Sequence, residues 1–459
     1  YNYAEALAKS MLFYEAQRSG SLPPNQRVRW RGNSAMNDGS DNNIDLSGGY
    51  YDGAGYIKYN FPMAFSSTLI SWSVIRYGRT YRALGQYNHA LDTIKWATDY
   101  FIKCHPEPNL FYGQVSDKSA DSQFFGRPED MTYQRRSYKI DFTQPEIGTD
   151  LAAEAAAAMA SAAIVYKTVN PSYSNTLQQH AVELYNFATT APRRPYSRSI
   201  RHAAQAYGTE ASSYKDELAW AALWLYKLTR LPVYLNDAKR IVNLLDEVTE
   251  FSWNVKTAGV QLLLSEMTNT RRFKAAFKLY ICYILPEQQN MQVFRQPHKT
   301  IFKFLTCILI VANAAFLLML AYRKFPNAQN AKGWRDAGIR QISYLLGGNK
   351  KRQSFVVGFG RISPTQPLHK GSSCPLPPNR CGHTFKNRDQ PNPNILYGAL
   401  VGGPTPLDDF SDLRTEEEQS RVSLDANAGF QAAVAGIIHL KLNQLLSSGC
   451  ITTVSVQLV

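Results

Sequence analysis

The sequence predicts an all-α fold, an (α/α)6 barrel or six-hairpin toroid, with long loops forming an open cleft. Three observations lead there. About twelve segments carry helical patterning, each ~10–20 residues long. One of them, Phe304–Tyr322, is apolar on every side, as a helix of an inner ring would be. No long linker or low-complexity segment divides the 459 residues. Residues 1–446 therefore read as one domain and 447–459 as a tail.

In chain order, Tyr3–Ser19 is amphipathic and stops at Gly20, and Met63–Arg79 and His89–Cys104 follow. Thr149–Thr168 is rich in alanine, the best helix former, with its charges at the start where the helix dipole prefers them. Next come Asn175–Thr190, Tyr214–Thr229, Pro232–Val248, Gly259–Thr268, Arg272–Leu285, the Phe304 run, Trp334–Leu346 and Ala428–Leu446. The longest loops, 20–62, 105–148 and 347–427, are rich in Gly, Pro, Asn and Asp, and are where binding and catalysis are expected.

The Phe304 run meets the ~18-residue length of a membrane span. Asn313 and an alanine-rich centre fit close helix packing instead, so a buried inner helix and no membrane partner are expected. Net charge is +14, but the basic residues are scattered. The densest runs, Arg193–Arg194, Arg271–Arg272 and Lys350–Arg352, are too short for a nucleic-acid footprint, and no nucleic-acid partner is expected. Six cysteines are too few for a disulfide scaffold; only Cys374 and Cys381 are close in sequence. The chain starts at Tyr1 without an initiator Met, so it reads as a processed or partial chain.

Four segments carry the chemistry. The first runs from Asp38-Gly-Ser-Asp41 through Asp45 to Tyr50-Tyr51-Asp52-Gly53-Ala54-Gly55-Tyr56. It alternates carboxylates, glycines that let a backbone approach a ligand, and tyrosines that can stack on sugar. An Asx-rich turn has the same composition. The others are Ser354–Gly360 running on to Ser372-Ser-Cys-Pro, then Leu396–Pro404, and Asp408–Phe430.

Together with YNYAEALAKSMLFYEAQRSG at the start, Ile94–Phe101, Phe111–Val115, Gly126–Met131 and Tyr214–Leu218, these segments resemble glycoside hydrolase family 9. The likeness is to inverting endo-β-1,4-glucanases of the animal, termite type, and runs from Tyr1 to about Leu442. It implies the (α/α)6 barrel, a cleft for a β-1,4-glucan chain, no organic cofactor, a monomer, and a secreted protein. Inverting hydrolysis needs two carboxyl groups ~6.5–9.5 Å apart, with a water between the base and the sugar.

The resemblance places Asp52 on the aspartate that orients the water, and Gly55 on the position of the base. Arg421 falls on the acid, and an arginine does not release a proton in a protein. The sugar-binding Pro-His-His-Arg reads Pro367-Leu368-His369-Lys370, leaving His369 and Lys370 as substrate contacts beside Tyr51, Tyr56 and Trp253. A lysine keeps the charge but loses the bidentate fork of arginine. Glu417, one helical turn before Arg421, is a substitute acid if that segment is helical; a solvated acidic run is the other reading. Ser212, Asp216 and Glu217 resemble a calcium-ligating segment, whose further aspartate is Asn254 here, so a weakened calcium site is expected. An N-terminal helix cap at Ser212 or Ser213 explains the same residues. Residues 286–311 depart from the family pattern altogether. The expectation is thus a glucanase-family barrel with severely impaired hydrolysis, or a non-catalytic glucan binder.

Overall fold

The computed structural model describes residues 1–142, 148–190, 193, 195–196, 213–248, 250–285, 307–405 and 407–447. Ser212, most of the unmatched 286–311 segment and nearly all of the 447–459 tail lie outside them. Among the described residues, twelve helices have ten residues or more. They are α1 (Tyr3–Ala16), α2 (Asn60–Ala83), α3 (Tyr87–Cys104), α4 (Thr149–Tyr166), α5 (Pro171–Thr189) and α6 (Lys215–Thr229). The second half holds α7 (Pro232–Ile241), α8 (Thr257–Thr268), α9 (Arg271–Ile284), α10 (Cys307–Lys324), α11 (Ala331–Leu345) and α12 (Leu424–Ser447).

The even-numbered helices close a ring: α2 packs on α4, α4 on α6, α6 on α8, α8 on α10, α10 on α12, and α12 back on α2. Each odd-numbered helix packs outside one member of it. This is the predicted (α/α)6 barrel. The sequence explains which helix goes where. In α4, 17 of 18 residues are buried, nine of them in the run Ala152–Ala160, where seven are alanine, so small side chains let three neighbours approach. Its outer partner α5 buries only 7 of 19 residues, on one stripe. The predicted inner helix is α10, with residues 311–321 all buried. None of the described helices is long and apolar enough to cross a membrane.

The centre is aromatic. Trp72 of α2 meets Trp220 and Trp224 of α6 and Phe316 of α10 edge to face, with ring centroids 5.3–5.7 Å apart. Asn313 also serves the packing: its Nδ2 donates to the Phe251 carbonyl at 3.1 Å. Helix boundaries differ from the sequence reading mostly at starts. α2 begins at Asn60 rather than Met63, α12 at Leu424 rather than Ala428, and the Pro232 helix ends at Ile241. Not foreseen is a three-stranded antiparallel sheet, β1 (Lys58–Tyr59), β2 (Leu110–Val115) and β3 (Ser137–Asp141), in the order β1-β2-β3. It is built from the two long loops that flank α2 and α3. Its strands are too short for their alternation to stand out.

Gly429 of α12 tests the ring closure. A Cβ there would lie 1.9 Å from Asn313 Oδ1 and 2.8 Å from the Asn313 backbone nitrogen. Helix propensity alone favours alanine over glycine by ~1 kcal/mol. Steric overpacking outweighs it, so Gly429→Ala should destabilise the fold by about 1–3 kcal/mol in chemical denaturation; a gain in stability would contradict the close α10–α12 contact.

Candidate active site

Each inner helix from α2 to α10 is followed by an outer helix that returns beside it, and α12 packs on α1, so the inner helices run the same way. Their N-terminal ends share one end of the barrel, and that end carries the four motifs. Short backbone bridges knit them together: Val356 pairs with Leu400, Val401 with Val422, and Leu368 with Arg421. The Lys370 N–H donates to the Ala54 carbonyl at 3.0 Å, joining Pro367–Lys370 to the Asp52–Gly55 loop.

Asp52 sits at the start of α12. Its Oδ1 accepts from the Leu424 N–H at 3.4 Å, and its own N–H donates to the Ile57 carbonyl at 3.0 Å. Burial pushes its pKa up to about 7, helped by the neighbouring charge of Asp425; the Leu424 N–H and Arg421 oppose the rise. Gly53 turns the loop at a φ of +67°, where a Cβ would press on the Val422 carbonyl at 2.8 Å. Position 55 offers no carboxyl group, and Arg421 is exposed at the end of a single helical turn, Glu417–Ser420. That turn is the one the substitute-acid reading requires. Glu417 itself is half exposed and ion-paired to Lys386 at 3.0 Å.

The other carboxylates of the first motif hold the loop together. Asp38 is buried between Lys58 Nζ and Arg135 Nε, each at 2.7 Å. Burial opposes its charge, but the two cations hold its pKa below the usual carboxylate value. Asp41 accepts from the Ser137 N–H at 2.8 Å, and Asp45 pairs with Lys103 at 2.8 Å.

The expected sugar contacts sit deeper than a stacking surface. Tyr51 is 1% exposed, with its hydroxyl 2.9 Å from Ser34 Oγ. Tyr56 is 1% exposed, and its hydroxyl donates to the Gly126 carbonyl at 2.6 Å. His369 is buried with both ring nitrogens engaged. Nδ1 accepts from the Ser372 N–H at 2.9 Å, which leaves Nε2–H to donate to Gln17 Oε1 at 2.7 Å. Burial pulls its pKa down to about 3, with Arg31 adding to the effect, so the ring is neutral. Gln17 in turn donates to the carbonyls of Tyr51 at 3.2 Å and Gly53 at 2.9 Å, so His369 supports the Asp52 loop from below. Trp253 is half-buried, edge-on to Phe61 at 5.5 Å. Lys370 donates to Asp121 Oδ2 at 2.7 Å and to the Asp121 carbonyl at 2.6 Å. Asp121 lies in Ala120-Asp-Ser122, which carries no motif by itself.

The Asp216–Glu217 pair also finds its partner inside the chain. Lys256 is fully buried; its Nζ lies 3.0 Å from Glu217 and 3.1 Å from Glu154, and its N–H donates to Asp216 at 2.7 Å. Asn254 turns its N–H to Ser252 Oγ at 3.3 Å, and Ser213 Oγ accepts from the Lys215 N–H at 3.0 Å, a local cap. These oxygens already face a cation, and the described residues fit an internal ammonium better than a calcium ion. The pairing of Cys374 with Cys381 is a disulfide.

Two outcomes follow. Replacing Lys256 by Met strands two buried carboxylates and should cost about 3–5 kcal/mol in denaturant unfolding, while calcium or chelator leaves the Tm of the unmodified chain unmoved; a calcium-dependent rise would contradict the internal cation. Asp52, with its pKa raised, contributes most stability below about pH 4, and that contribution is lost as pH rises through about 7. The unmodified chain should therefore lose up to about 4 kcal/mol relative to Asp52→Asn between pH 4 and pH 8; a pH-independent difference would contradict the half-buried, proton-binding Asp52.

Glycosyl hydrolase family 9 matches residues 3–434 of the chain. Endoglucanase 14 of Arabidopsis thaliana is 38% identical over 464 residues, covering 95% of this chain and 93% of that protein. Endoglucanase 19 of the same plant is 39% identical over 471 residues, covering 95% of this chain and 74% of that one. Among solved structures, the endoglucanase of the termite Nasutitermes takasagoensis superposes with a TM-score of 0.90 at 41% identity, covering 96% of this chain and 99% of its own. The cellulase Cel9M of C. cellulolyticum, in complex with cellobiose, superposes at 0.86 with 27% identity, covering 96% and 99%. The barrel and the site motifs thus come from one lineage, and the chain belongs to glycosyl hydrolase family 9.

Proposed function

We propose that the chain binds a β-1,4-glucan across the N-terminal end of the barrel and hydrolyses it at a severely reduced rate. The observation that carries this is the pair of substitutions at one intact frame. Asp52, the loop glycines and the start of α12 are assembled, yet position 55 has no carboxyl group and position 421 presents a guanidinium. The relatives named as endoglucanases, and the cellobiose held by one structural neighbour, support a glucan ligand. In the family's inverting reaction Asp52 would orient the attacking water, position 55 would take its proton, and position 421 would protonate the leaving oxygen.

Each such proton-transfer group contributes ~10²–10⁴-fold. Asp52 itself matches the water-orienting aspartate, with Oδ1 accepting from the Leu424 N–H, and replaces neither proton-transfer group. The limiting form of this reading is a binder without turnover. We read the protein as secreted and monomeric; the Cys374–Cys381 disulfide supports an oxidising compartment. Calorimetric titration with cellotetraose should show saturable binding, while reducing-sugar release from carboxymethyl cellulose stays near background. Fast release would overturn the impaired reading, and no binding would overturn the glucan reading.

A further inference from the structure

The space that a side chain at position 55 would fill is not empty. A Cβ built on Gly55 would lie 2.1 Å from Asp121 Oδ2. That is about the reach of an aspartate's own carboxylate oxygen from its Cβ. A carboxylate from the short helix Lys118–Ser122 therefore stands against the backbone at the base position. It is fastened there on both flanks of Gly55. Oδ1 accepts from the Tyr56 N–H at 2.8 Å, on the residue that follows. Oδ2 accepts from Lys370, whose backbone is tied to Ala54, the residue that precedes.

A carboxylate has about four lone-pair sites. The Tyr56 N–H and the Tyr133 hydroxyl, at 3.2 Å, take both on Oδ1. Lys370 takes one on Oδ2. Among the described residues, one acceptor site remains, on the oxygen that faces Gly55. The side chain is 11% exposed. An open pocket of about 530 Å³ lined by Ala120, Phe124 and Tyr133 lies alongside.

We propose that Asp121 takes the place of the missing base, so that this chain keeps a water-activating carboxylate and lacks only the acid. The proposal rests on the glucan reading above. Asp121 accepts a proton from a water, the water oxygen bonds to the anomeric carbon, and the bond to the leaving group breaks with its electron pair. With an alkoxide leaving group the step stalls, because Arg421 donates no proton. With fluoride as the leaving group no acid is needed, and the proton on Asp121 passes to solvent. The chain should therefore hydrolyse β-cellobiosyl fluoride with inversion while leaving cellulose intact.

The test uses the full chain and β-cellobiosyl fluoride, with a fluoride electrode for the rate and proton NMR for the anomer. The unmodified chain should release fluoride above the buffer rate, with α-cellobiose as first product. Asp121→Asn keeps an acceptor for the Tyr56 N–H and should lower the rate about 10²-fold or more. Asp121→Ala with added sodium azide should yield α-cellobiosyl azide, a product that a merely structural role for Asp121 would not give. Arg421→Glu alone, with position 55 untouched, should restore sugar release from cellotetraose. Fluoride release at the buffer rate, or an Asp121→Asn rate equal to that of the unmodified chain, would overturn the proposal. Cellotetraose titration on the same preparations separates the failures: binding without fluoride release sinks Asp121 alone, and no binding sinks the glucan reading with it.

Discussion

The rest of the structure depends on the common direction of the inner helices. Once each inner helix is answered by an outer one running back, the N-terminal ends of the ring must meet at one face. That face carries partial positive charge from unpaired N–H groups. It therefore gathers carboxylates: Asp52 against the first N–H of α12, Asp150 at the start of α4, Asp216 and Glu217 at the start of α6. A glycosidase that works with paired carboxyl groups has a ready place for them there.

Gathering carboxylates in a buried place is expensive unless each finds a counter-charge. The chain answers with internal cations. Lys58 and Arg135 hold Asp38, Lys256 holds Glu154 and Glu217, and Lys370 holds Asp121. These four cations face four carboxylates, so the barrel end is close to neutral and the +14 surplus lies elsewhere on the chain. Asp52 differs: its nearest cation, Arg421, is exposed, while Asp425 repels it, and its proton is retained to about pH 7. The barrel end is a scaffold of paired acids around Asp52, whose proton is held by burial, and Asp121 keeps an open acceptor site beside its lysine.

The helices were legible because their signals are local. The alanines of α4 and the all-round apolar face of α10 state inner positions in consecutive residues. The strands were not legible, since β1 and β2 meet only when Lys58 faces Val115 across the fold. The site divides the same way. Asp52, Gly55 and Arg421 could be placed because each sits in a recognisable run. Lys256 and Asp121 could not. Their partners lie far along the chain, Glu154 for the one and Lys370 for the other, and neither stands in a pattern that betrays a charge pair. The reading of the tyrosines as sugar contacts came from residue type, and that of His369 from the family motif it stands in. Their burial, with His369 nitrogens spent on Gln17 and Ser372, is a tertiary fact.

A crystal structure of the unmodified chain soaked with cellotetraose tests the central claim most directly. The account predicts an intact glucan across the N-terminal face, with its glycosidic oxygen near Arg421 and no carboxyl group within proton-donating reach. A cleaved sugar, or a carboxyl group such as that of Glu417 turned in against the glycosidic oxygen, would contradict it.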